Sequence, residues 1–210
     1  KSSMFERVKE DNSNSIKKAT SVLESGGIIA YPTDTIYGFG CDARNEEAIK
    51  RLNKIKGRSA PMSVLCPRFQ KFLSWIDLPS HEKVIVEKQV KPKTTLIVPV
   101  KSNIVSNLIL GNGNTLGIRI SNHPFCISVA HNYPSPITTT SVNRSGHEPL
   151  SDPYKIELEF SNEIELCIDD GVINGQASKI YKYEKICLTN SVFAGKLHSF
   201  FTNNNISILW

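Results

Sequence analysis

Apolar positions along the chain recur in two rhythms. Ile16, Ala19, Val22 and Leu23 fall on one helical face and predict a helix from Asn12 or Ser13 to Ser25, ended by Gly26-Gly27. The apolar run Ile28 to Tyr31 then predicts a buried strand, which Pro32 ends because proline cannot donate to a ladder. Ala48, Ile49, Leu52 and Ile55 return to helical spacing. Asn45 is the expected cap, Glu46 and Glu47 suit the first turn, and the helix closes on Lys54, Lys56 and Gly57. Further on, strands are expected at Met62–Cys66, Thr94–Val100, Leu116–Ile120, in ITTT up to Ser141, and at Ile164–Ile168. Helices are expected at Pro67–Trp75, from Ser80 to about Val90, from His123-Pro124 to about His131, and near Tyr154–Phe160. Lys179–Tyr183 and Lys185–Leu188 suggest a hairpin, and Asn205–Trp210 a terminal strand. Helices and strands mix without strict alternation. The expected class is α/β of the α+β type: one domain over residues 1–210, with a twisted mixed sheet and flanking helices.

Composition narrows the function classes. With 210 residues, 40% apolar and 21% charged, the chain can bury a sizeable core. Its net charge of +5 is compatible with anionic ligands such as nucleotides or RNA, and equally with plain surface charge. The five cysteines form no CxxC pair, which argues against a disulfide framework or zinc site and for a reducing, cytoplasmic compartment. No apolar run reaches membrane-spanning length, so no membrane partner is expected. The five histidines are scattered, and no metal-ligand cluster, Walker loop or GxGxxG is present.

Four polar clusters remain, each at a strand or helix end. The first is the hydroxyl-rich loop after Tyr31, with Thr33, Asp34, Thr35 and Tyr37. It reads either as a presented site or as ordinary turn chemistry, and Asp34 as a residue that holds the loop. In the second, Lys56 and Arg58 flank Gly57. They could face one polyphosphate or simply neutralise a helix C-terminus. In the third, Thr115 and Arg119 lie four apart on a strand, hence on one face. They could grip a carboxylate or belong to a surface ion pair. The fourth is TTTSVNRSG, where Thr139, Ser141 and Asn143 could meet phosphate oxygens or a base edge, or could be a strand-end turn.

Together these clusters resemble one family. YPTDTIYGFGCDA is similar to the PTDTVYGLGCDA signature of the threonylcarbamoyl-adenylate synthases, whose fold is called YrdC-like. IKRLNKIKGRS resembles that family's helix ending in K-x-R, LGIRISNHP its GIRxPxHP segment, and TTTSVNRSG its TSANxSG segment, all in the family's order. The resemblance implies a reaction in which L-threonine and bicarbonate (or CO2) form a carbamate that attacks the α-phosphate of ATP. The products would be threonylcarbamoyl-AMP and pyrophosphate. Mg2+ would accompany the triphosphate, no tightly bound cofactor is implied, and a partner threonylcarbamoyl-transferase complex would carry the product to tRNA. By motif, Lys56, Arg58, Ser141 and Asn143 are implied around ATP and bicarbonate, with Thr115, Ser151 and Ser178 as further ATP contacts. Thr35, Arg119 and Thr139 are implied to hold threonine, Arg119 on its carboxylate. The chain departs from the pattern at Cys66, where a histidine is usual, at Ser121 in place of proline, at Lys179 in place of threonine, and in lacking a late R-x-G. A YrdC-like RNA- or nucleotide-binding protein without this activity, and a related carbamoyl-adenylate chemistry, stay open beside it.

Overall fold

A computed structural model describes residues 4–187 and 193–200, with side chains described for 4–184. Strand β2 (Ile29–Tyr31) shows how the sheet is built. Ile28 and Ala30 belong to one core, while Ile29 and Tyr31 belong to another on the opposite face. Both faces are apolar because both are covered. Helices α1 (Asn14–Glu24) and α5 (Pro124–Asn132) cover one face, with Ala19, Leu23, Phe125 and Val129 buried there. Helices α2 (Glu46–Lys56), α3 (Phe69–Trp75), α4 (Ser80–Glu87) and α6 (Pro153–Phe160) cover the other. On that second face Phe160 of α6 meets Phe39 edge-on, with ring centroids 5.0 Å apart.

The remaining strands are β1 (Glu6–Lys9), β3 (Gly38–Gly40), β4 (Ser63–Leu65), β5 (Thr94–Pro99), β6 (Thr115–Ile120), β7 (Thr138–Ser141), β8 (Leu166–Asp169), β9 (Lys179–Cys187) and β10 (Phe193–Phe200). Among the described residues they form one mixed sheet in the order β1-β8-β2-β3-β7-β4-β6-β5-β9-β10. The pairs β1/β8, β8/β2, β4/β6 and β5/β9 are parallel and the others antiparallel. The mixed sheet with flanking helices is the class the sequence predicts.

Several expectations need correction. The hairpin expected within residues 179–188 does not exist. Lys179–Cys187 is one continuous strand paired antiparallel with Phe193–Phe200, because the alternation in KIYKYEKIC runs on past Glu184. Strands β1 and β3 were not foreseen, and the segment expected at Asn205–Trp210 lies outside the described residues.

The pleat also explains where a site can form. In β3, β4, β5, β6 and β9, Phe39, Val64, Leu96, Ile118 and Tyr183 point into the core beneath α2, α3, α4 and α6. The alternate positions Gly38, Ser63, Thr95, Arg119 and Ile180 therefore point to the other face, as do Thr139 and Ser141 on β7, in phase with Ile137. Among the described residues, that face carries no helix beyond α1 and α5. Small and polar side chains stand there in place of a second core.

Candidate functional site

That uncovered half-face is the floor of a cleft of about 400 Å³, a size suited to a small-molecule ligand. Its lining includes Thr33, Thr35, Tyr37, Arg58, Ser63, Thr95, Arg119, Thr139, Ser141, Asn143 and Ser178. All four sequence clusters thus converge, although the residues come from strands far apart in the chain.

The loop after β2 supplies one wall. Thr33 organises it: its hydroxyl donates to the Ile36 carbonyl at 2.6 Å and accepts from the N–H groups of Thr35 and Ile36 at 3.1 and 3.2 Å. Arg119 reaches this wall from β6. Its Nη2 donates to Asp34 Oδ1 at 2.5 Å and to Thr35 Oγ1 at 2.7 Å, and its Nη1 donates to the Ile120 carbonyl. Asp34 Oδ2 accepts from the backbone N–H groups of Lys93 and Asn122 at 3.0 and 3.1 Å. Asp34 therefore joins three segments, not only its own loop.

The opposite wall begins at the end of α2. Asn45 caps that helix through Ala48 N–H, and Gly57 ends it in the left-handed region at φ +70°. This turn separates the two cations that were expected to face one anion together. Arg58 enters the cleft, where burial lowers its pKa. It makes no ion pair among the described residues. Lys56 instead turns inward, is 1% exposed, and does not line the cleft. Its ammonium donates to the carbonyls of Ser141 and Asn143 at 2.6 and 3.0 Å and to Asn143 Oδ1 at 3.1 Å. Burial, with Arg58 nearby, pushes its pKa down to about 7. Ser141 Oγ donates to Asn143 Oδ1 at 2.5 Å, and Asn143 Nδ2 to the carbonyls of Arg144 and His147. Lys56 thus holds the 141–147 turn in shape.

The third wall is a strap. Residues 170–178, without regular structure, run from β8, second in the sheet, to β9, ninth. Tyr37 pins its start: the Tyr37 hydroxyl accepts from Asp170 N–H at 2.9 Å and donates to the Gly171 carbonyl at 2.8 Å. His123 Nε2 lies 2.7 Å from Asp170 Oδ2. Midway, Gly175 presses on the Thr35 carbonyl so closely that a Cβ would lie 1.8 Å from its oxygen. At the far end Ser178 and Thr95 share a hydroxyl contact of 2.7 Å, both on the lining.

Besides Lys56, two further expected contacts do not reach the cleft. Thr115 starts β6, and four strand residues place it roughly 13 Å from Arg119. Its hydroxyl donates to the Asn112 carbonyl. Ser151 gives its carbonyl to Ile173 N–H and stays off the lining. Conversely, Thr33, Ser63 and Thr95 line the cleft without having been singled out as site residues. Polar residues at alternate positions of otherwise apolar strands were the available signal for the last two. Among the described residues no group of three or more His, Cys, Asp or Glu could hold a metal ion, and no helix is long and apolar enough to cross a membrane.

Residues 21–190 match the Sua5_yciO_yrdC family model, described as "Telomere recombination". The chain belongs to this family. A Sua5/YciO/YrdC relative from Hydrogenovibrio crunogenus, named Threonylcarbamoyl-AMP synthase, is 32% identical over 142 residues, 65% of this chain and 76% of its own. That name denotes an enzyme of the nucleotidyltransferase type. The crystal structure of P. abyssi Sua5 complexed with L-threonine superposes with a TM-score of 0.75 at 26% identity. It covers 91% of this chain, which spans 56% of the P. abyssi protein. E. coli YciO shares the fold at TM-score 0.75 and 21% identity, over 94% of this chain and 96% of its own.

Proposed function

We propose that this chain makes threonylcarbamoyl-AMP from L-threonine, bicarbonate or CO2, and ATP. The observation that carries the reading is one cleft in which buried Arg119, bonded to Thr35, and Thr139 share the lining with Arg58, Ser141 and Asn143. An amino-acid carboxylate suits the first group, and a polyphosphate suits the second. The relatives named for this activity and the threonine complex of P. abyssi Sua5 support the same assignment.

The chemistry needs no protein nucleophile. The neutral threonine amine attacks CO2 and gives up one proton to water, leaving a carbamate. A carbamate oxygen then attacks the α-phosphorus, and pyrophosphate leaves with the electron pair of the broken P–O bond. The protein's part is to orient the reactants and to meet developing charge with fixed donors. Arg58 faces the phosphates, while Lys56 keeps Ser141 and Asn143 in register and acts from behind the wall. Mg2+ would arrive with the triphosphate. The described lining holds one carboxylate, Glu148, which fits an ion that keeps waters and phosphate oxygens as most of its ligands. The unstable adenylate would pass to a transferase acting on tRNA.

The test is pyrophosphate release from ATP and Mg2+, with threonine and bicarbonate supplied together and singly. Release only when both are present supports the reading. Salt-sensitive tRNA binding without such release would replace it with an RNA-binding role.

A further inference from the structure

Arg119 is more fully occupied than a carboxylate-binding arginine needs to be. A guanidinium has five N–H groups, and three are engaged by the protein: Nη1 with the Ile120 carbonyl, and both hydrogens of Nη2 with Asp34 and Thr35. The two left over, on Nε and Nη1, do not lie side by side. A two-pronged grip on a carboxylate uses either the Nε/Nη2 edge or the Nη1/Nη2 edge. Both edges include Nη2, so one of its two bonds must yield before substrate can be gripped.

The surroundings decide which. Asp34 and Arg119 side chains are each 6% exposed, so their bond is a charge pair shielded from water. Asp34 cannot swing away, because its second oxygen is held by Lys93 N–H and Asn122 N–H. Thr35 is a neutral hydroxyl, so its bond to the guanidinium joins a charge to a dipole. The bond between two opposite charges is the stronger of the two.

We propose that Asp34 is a positioning residue that fixes Arg119 for an amino-acid carboxylate, and that Thr35 is the contact Arg119 exchanges for that carboxylate. The proposal rests on the threonine reading above and names a residue outside its contact set. It also separates from a bland alternative. An Asp34 that merely placed negative charge near the ligand would oppose carboxylate binding, so neutralising it would tighten affinity. An Asp34 that aims the guanidinium does the reverse.

Calorimetric titration of L-threonine and L-threoninamide into wild type, Asp34→Glu and Asp34→Asn decides it. Asp34→Glu keeps the charge and moves it by one methylene. Asp34→Asn keeps the shape and removes the charge. Both are expected to weaken threonine binding by about tenfold or more while leaving threoninamide nearly unchanged, so the preference for the carboxylate collapses. Circular dichroism identifies any variant that fails to fold, and the other then carries the test. Threonine binding unchanged or tighter in a folded variant overturns the proposal while the function stands. Equal weakening of both ligands also overturns it, since that marks general damage to the cleft. Absence of threonine binding in wild type removes the function reading and the proposal with it.

Discussion

The Lys56 ammonium lies 2.6 Å from the main-chain carbonyl of Ser141, tying the last turn of α2 to the end of β7 from behind the cleft wall. Arg58, two residues later, stands in the cleft itself. Their substitutions should separate accordingly. Lys56→Met takes the ammonium from the Asn143 carbonyl, leaves the Ser141 carbonyl with Asn143 N–H, and is expected to cost about 2–4 kcal/mol in chemical denaturation. Arg58→Ala is expected to cost less than about 1 kcal/mol and to raise the KM for ATP roughly tenfold or more. Equal stability loss in the two variants would contradict this division.

Lys56 also sets a pH dependence. Its pKa in the folded chain is lowered to about 7 from the ordinary 10.5, chiefly by burial. Between those values the unfolded chain binds the proton and the folded chain does not, so this residue adds stability as pH rises. Below about 7 both forms are protonated and the contribution is flat. The slope is at most about 1.4 kcal/mol per pH unit. Unfolding free energies at several pH values from 7 to 9.5 should rise more steeply in wild type than in Lys56→Met. Parallel curves would place the Lys56 titration elsewhere.

Tyr37 is expected to matter through the strap. Tyr37→Phe keeps the ring and leaves Asp170 N–H and the Gly171 carbonyl without their partner. The expected cost is about 1–2 kcal/mol, with faster amide hydrogen exchange at Asp170 than at positions in β5.

Gly175 is exposed, yet a methyl group there would collide with the Thr35 carbonyl at 1.8 Å. Gly175→Ala must displace either the strap or the loop that carries Thr35. Threonine affinity should fall at least several-fold, while the melting temperature moves by only a few degrees, because Gly175 and Thr35 themselves belong to neither core. A large thermal shift with intact threonine binding would refute this.

Much of the framework was legible because apolar spacing survives wherever an element packs on both sides or presents one clear stripe. Helix α2 is an example: Ala48, Ile49, Leu52 and Ile55 are all buried, and Asn45 caps as its side chain suggests. Strand β1 was hidden for the opposite reason. Glu6, Arg7 and Lys9 occupy a sheet edge, where charge blunts unwanted pairing and erases the apolar signal. Strand β3, Gly38-Phe39-Gly40, reads as a turn until the Tyr31 ring is seen resting where side chains would be: a Cβ on Gly40 would stand 2.7 Å from it.

The site was legible as a set of polar clusters and illegible as an arrangement. Nothing local in IKGRS says that Gly57 sends Lys56 inward and Arg58 outward. Nothing local in PTDT says that Asp34 is held by residues 93, 119 and 122. Those facts are long-range pairings, and a single sequence carries no direct mark of them.

The route of the strap has a consequence for how the protein comes into being. Strand β1 pairs with β8, Glu6 beside Leu166, and β9 joins β5 only after the chain has crossed the sheet. Contacts of such long sequence separation form slowly, after local structure. During synthesis the floor residues Ser63, Arg119 and Thr139 emerge well before Ala177, Ser178 and Ile180, which complete the lining. The cleft is therefore closed last. A chain that stopped before residue 177 would lack Ala177, Ser178 and Ile180 from its lining, so ligand binding in the cleft is expected to need the residues through 180.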